Sequence, residues 1–125
     1  MTVNDLPHAV YEGSAEREYM KFNTLYVSKW ADGDASDTRV IETGTYTLHS
    51  MVAGDSCRRE EAIASYCGKC GIHSVVLCPG FTHSMVAAVA EAVGPGVSVA
   101  ASRSDGPGSS VTGPVMKEAR KGLKR

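Results

Sequence analysis

Ser74-Val75-Val76-Leu77-Cys78-Pro79-Gly80-Phe81-Thr82-His83-Ser84-Met85, continuing through Val86-Ala87-Ala88-Val89-Ala90-Glu91-Ala92-Val93 to Gly94, decides the fold class of this chain. Its first part, Ser74 to Cys78, has the length and apolar content of a buried strand. Pro79-Gly80 turns the chain, and Thr82 is a suitable N-cap for a helix, with Phe81 before it placed to meet Val86 as a hydrophobic staple. Met85, Val89 and Val93 repeat on one side of that helix until Gly94-Pro95-Gly96 ends it. Val97 to Ser102 then reads as another strand. Strand, helix and strand in this order form a βαβ unit, and such units build parallel sheets. Ligands of open parallel sheets bind beyond the carboxyl ends of the strands, which is where this segment places Cys78 and the start of a helix.

Upstream, Lys21 to Ser28 has the β-branched and aromatic content of a strand. A polar loop from Trp30 to Thr38 follows, then Arg39 to Gly44, then Thr45 to Ala53, where alternating Tyr46, Leu48 and Val52 predict a second strand. Asp55 or Ser56 is placed to cap a helix whose apolar face is Ala62, Ile63, Tyr66, Cys67 and Cys70, closing at Gly71 as its C′ residue. The expected fold is a small single-domain α/β structure, a mostly parallel sheet with covering helices in the order β-β-α-β-α-β plus a short C-terminal helix. Residues 1–19 have no sustained period and read as an extension, 20–113 as the α/β domain, and 114–125 as a basic helix opened by Pro114. Arg103 to Gly113 reads as a Gly/Ser-rich loop, either a tether to that helix or a segment able to close over a small molecule.

Composition excludes several classes of function. The chain has 125 residues, with 13 Lys plus Arg against 14 Asp plus Glu. It is long enough to bury a core without disulfides, and its charge carries no basic field for nucleic acid. No run approaches the about 20 apolar residues of a membrane span, and Met1 to Pro7 lacks the basic and apolar regions of a secretory signal. A cytoplasmic location is therefore expected, with the four cysteines as free thiols, metal ligands or catalytic groups before disulfides.

Cys78 stands out among them. The start of a helix lowers the pKa of a nearby thiol from about 8.5, and a histidine in the first turn, here His83, is disfavoured in its charged form and left as a neutral base. The bland alternative is equally physical: Cys78 as a small buried hydrophobe and His83 as a packing or hydrogen-bonding group. Strand-Cys-loop-helix also describes phosphatase loops, but Ser84 stands where their arginine would clamp the phosphate. Cys67-Gly-Lys-Cys70 with nearby His73 resembles a redox or zinc motif, yet it closes a helix, where the dipole opposes a thiolate, and no second ligand pair lies at zinc-finger spacing. Cys67 and Cys70 read first as core. Cys57 beside Arg58 and Arg59 reads as an exposed thiol, His49 as a solvated or hydrogen-bonded histidine, and Asp32 to Asp37 as a solvated acidic turn without the glycine and glutamate of a calcium loop.

Met20-Lys21-Phe22, Arg39-Val-Ile-Glu42-Thr-Gly44, Leu77-Cys78-Pro79-Gly80-Phe81 with His83, and a Val97-Ser-Val strand ending in Arg103 together resemble the DUF6506-like family, small stand-alone bacterial and archaeal α/β proteins carried as a domain of unknown function. The resemblance spans residues 20 to 106, and Pro79 stands where such proteins more often carry glycine. It implies a compact α/β fold with the strand-end cysteine facing a ligand, and it implies no reaction.

Two classes of function follow. The first is an enzyme with Cys78 as nucleophile or proton donor and His83 as base, with Gly80, Thr82, Arg103, Asp105 and Ser109 contacting a polar carbonyl-type molecule. Isomerase, lyase or cyclase chemistry suits these groups. The second is a non-catalytic ligand-binding or subunit-association module, and zinc or thiol-redox function through Cys67 and Cys70 is a third reading. A small polar ligand and a homo-oligomer are the expected partners; no cofactor, metal, nucleic acid or membrane is expected.

Overall fold

The computed structural model describes residues 20–103 and 108–123. The extension read at residues 1–19 lies outside them. Five strands form one sheet, and its centre is β1 (Phe22–Lys29). On one side β1 pairs in parallel with β3 (Tyr46–Ala53), Phe22 opposite Tyr46 and Lys29 opposite Ala53. On its other side it pairs in parallel with β4 (Ser74–Leu77), which in turn pairs in parallel with β5 (Ser98–Ala101). The remaining strand, β2 (Thr38–Glu42), runs antiparallel along the outer edge of β3, giving the order β2-β3-β1-β4-β5.

The α/β architecture and mostly parallel sheet agree with the sequence reading, but the element order gains a strand. Arg39 to Gly44 carries no strand pattern in the sequence, and β2 accounts for most of it. Four of its five residues are exposed, so it shows none of the alternation that marks a half-buried strand. Its pairing comes from a turn in which the Thr43 hydroxyl accepts from the Thr45 and Tyr46 N–H groups at 3.3 and 3.1 Å.

Strand register sorts the side chains by face. Leu25 and Val27, Met51 and Ala53, and Val75 and Leu77 fall on one face, where they pack with Ile63 and Cys67 of α1 (Arg59–Cys70), Val89 of α2 (His83–Val93), and Phe81. Helices α1 and α2 pack on each other as well, so both cover the same face. In β3 the more apolar-looking set points the other way: Thr47, His49, Met51 and Ala53 are buried, while Tyr46 and Val52 are exposed. Buried His49 is satisfied by the Tyr66 hydroxyl of α1, 2.5 Å from its Nδ1.

Helix ends follow local chemistry with one adjustment. Gly71 closes α1 at φ 62, in the left-handed region a side chain disfavours, and Thr82 caps α2 by accepting the Met85 N–H at 3.2 Å. Ser56 does not cap α1; its hydroxyl accepts from Arg58 N–H in the turn before the helix, and Arg58 takes the N-cap place without a side-chain bond. The C-terminal helix, α3 (Gly108–Arg120), starts six residues before the expected Pro114, which becomes an interior residue. Half of the expected Gly/Ser loop is thus helical, and the Thr112 hydroxyl reaches back to the Gly108 carbonyl at 3.5 Å. Among the described residues no helix is long and apolar enough to cross a membrane.

Candidate functional site

The carboxyl edge of the sheet is built where three chain segments stop. Cys78 donates its own N–H to the Val27 carbonyl at 2.9 Å, the last ladder bond between β4 and β1. Its carbonyl then bends into the turn to accept from Phe81 N–H at 3.2 Å. The thiol, half-buried, accepts from two main-chain donors, Lys29 N–H at 3.2 Å and Gly80 N–H at 3.4 Å. Two N–H dipoles aimed at one sulfur hold it in place.

Beside this turn a cleft of about 300 Å3 opens over the ends of β1 and β3 and the start of α1, lined among others by Asp34, Asp55, Ser56, Arg58 and Arg59. Two close backbone approaches shape it. A Cβ on Gly54 would lie 2.3 Å from the Gly33 carbonyl oxygen, and one on Gly33 would lie 2.6 Å from that of Val52. Arg59 forms the inner wall. Its side chain, 10% exposed, stacks over the Phe81 ring at 5.8 Å, donates to the Gly54 carbonyl at 3.3 Å, and stands 3.3 Å from Glu60 and 3.9 Å from Asp55. Its buried Nε has no hydrogen-bond partner among the described residues. On the outer wall, hydrogen bonds from the Ser36 hydroxyl and N–H hold the Asp34 carboxyl below the usual carboxylate range.

Of the residues read from the sequence as a site, Cys78 and Gly80 are joined by a hydrogen bond. The Thr82 hydroxyl serves the helix cap and lies 3.2 Å from Ser84 Oγ. His83 is exposed as the first residue of α2, and no hydrogen bond joins it to Cys78 among the described residues. Arg103 follows β5 on the same edge as Cys78, whereas Ser109 is an exposed residue of α3. Asp105 lies outside the described residues. The cleft residues Asp34, Asp55, Ser56, Arg58 and Arg59 were not among the sequence candidates. Their legible trace is a repeated Gly-Asp, at Gly33-Asp34 and Gly54-Asp55, whose glycines meet only in three dimensions.

The other cysteines are dispersed. Cys67 and Cys70 close α1 at the amino edge, opposite Cys78, and burial, with Cys70 nearby, pushes the Cys67 thiol up to about 11. His73 spends its Nδ1 on the Asn23 N–H at 3.0 Å. Among the described residues no group of three or more His, Cys, Asp or Glu is placed to hold a metal ion. No curated protein and no solved structure matches the chain. A model of a family of unknown function matches residues 20–111, from the strand that centres the sheet through the Cys78 turn to the first residues of α3, and on that match the chain belongs to the DUF6506 family.

Proposed function

We propose that this protein binds a small polar molecule at the carboxyl edge of its sheet and uses Cys78 as the reacting group on a carbonyl-type substrate. The observation that carries the reading is the pair of main-chain N–H groups, from Lys29 and Gly80, on the Cys78 sulfur. The sulfur packs against the core on one side and meets these two donors at the mouth of the sheet on the other. The neighbouring cleft offers both signs of charge, so the ligand it suits carries donor and acceptor groups together. His83, exposed on the same turn, would carry protons between the site and solvent. Isomerase, lyase or cyclase chemistry remains the matching reaction class.

A second reading, binding without chemistry, is favoured by the missing hydrogen bond between His83 and Cys78 among the described residues. One experiment separates the two. In a Cys57→Ser background, alkylation of Cys78 is followed by mass spectrometry with and without 2-oxo acids, hydroxy acids and amino acids. Enzyme function predicts that one class protects Cys78, raises the melting temperature, and is converted by the parent chain but not by Cys78→Ser. Binding alone predicts the same thermal shift in Cys78→Ser and no conversion. A native Cys78 that resists alkylation, with no thermal shift from any class, overturns both.

A further inference from the structure

The helices α1 and α2 cover one face of the sheet, and the register lays a different surface on the other. Phe22, Ile41, Tyr46, Leu48, Val52 and Val76 fall there, with Phe22 at 51% and Ile41 at 65% exposure. Among the strand residues of this face the charged side chain is Arg39, and it is ion-paired with Asp37. Parallel sheets are stable with both faces covered, and among the described residues this one carries apolar side chains on a face that has no covering layer.

A second apolar surface in the same chain is also uncovered. Helix α3 buries none of its residues, and Val111 and Val115, one turn apart, are 70% and 67% exposed, with Met116 beside them. The Arg120 guanidinium lies over the Trp30 ring at 5.1 Å, which holds the helix by its last turn at the rim of the sheet.

We propose that two copies of this chain pair through the uncovered sheet face, each laying the apolar stripe of α3 against the other. Area decides in favour of this occupant. At about 4.8 Å between strands and about 3.3 Å per residue, a five-stranded face of this size measures on the order of 450 Å2 in projection, below the roughly 800 Å2 that each partner of a stable complex buries. A helix of α3's length, about 20 Å by about 10 Å, adds about 200 Å2 on each side of a two-fold pair, and the resulting total of about 1,300 Å2 over both partners falls within the roughly 1,200–2,000 Å2 of stable interfaces, which the sheet face alone does not reach. The near absence of charge on the sheet face is the composition of a permanent homodimer rather than of a transient contact.

Sedimentation equilibrium on the full chain tests this. The expected mass is twice the 13.2 kDa of one chain. Ile41→Asp with Val52→Asp, both at exposed positions, is expected to give a monomer with unchanged far-ultraviolet circular dichroism. Val111→Asp with Val115→Asp, which leaves the sheet untouched, is expected to weaken the dimer by about tenfold or more. A monomeric full chain at high micromolar concentration overturns the proposal, and so does a dimer indifferent to the sheet-face pair. A dimer indifferent to the α3 pair removes the helix from the interface and overturns the proposal as stated.

Discussion

The Lys29 N–H donates to the Cys78 sulfur at 3.2 Å, at the place where a continued ladder would have offered it the Cys78 carbonyl. In parallel pairing, once Cys78 N–H has reached Val27 O, the next bond runs from Lys29 N–H to Cys78 O. That carbonyl has turned away to Phe81, and the thiol stands in for it. Cys78 therefore ends the β1–β4 ladder while leaving a sulfur at the edge where a ligand would arrive.

This arrangement orders the thiols by reactivity. Exposed Cys57 is expected to be alkylated first, Cys78 next, and Cys67, buried and held as a thiol, only when the chain unfolds. Gly80→Ala would bring a Cβ to 3.4 Å from the Cys78 sulfur, an ordinary contact. It is expected to slow Cys78 alkylation with little loss of stability. Timed alkylation with peptide mapping reads both results.

The Gly33–Gly54 crossing should be intolerant of a methyl group. Gly54→Ala places a Cβ 2.3 Å from backbone, so the crossing must open, at a cost of about 1–3 kcal/mol. Gly44→Ala, with nothing within 4 Å of its Cβ, serves as the control and is expected to stay within about 0.5 kcal/mol. Urea unfolding of the two variants measures the difference.

His49 makes folding sensitive to acid. Burial lowers its pKa from 6.5, against a smaller opposing pull from Glu42. Between the folded and unfolded values the unfolded chain binds more protons, so this contribution is full above about 6.5 and is lost as pH falls through the folded value. His49→Asn keeps a short acceptor towards Tyr66 and removes the titration. Its stability is expected to vary less with pH across that window, as followed by thermal unfolding.

Leu25 sits at the centre of the core, 1% exposed on β1. Leu25→Ala is expected to cost about 2–5 kcal/mol, measured by denaturant unfolding, because the strands on both sides prevent collapse of the cavity.

Much of this was legible along the chain. The Ser74–Gly94 segment announces strand, turn and capped helix because those signals are local: an apolar run, Pro-Gly, a threonine cap and a glycine stop. Gly71 is legible as the end of α1 for the same reason. β2 was not, since an edge strand exposed along most of its length carries no periodic burial. The face of β3 was misleading, because Tyr46, Leu48 and Val52 look like core while Thr47 and His49 are the buried residues. Thr47 donates its hydroxyl to Asn23 Oδ1 and His49 pairs its Nδ1 with the Tyr66 hydroxyl of α1, and partners 24 and 17 residues away leave no mark in the strand itself.

The sequence by itself determined the fold class, the family, and the placing of Cys78 at the end of a strand before a helix. All three rest on neighbours in the chain. Tertiary structure alone decided which donor meets that sulfur, the N–H of Lys29, 49 residues away, and that a cleft forms where Gly33 and Gly54 cross. It also decided that both helices share one face of the sheet, because strand order and register, which chain position does not encode, choose the side on which each side chain emerges.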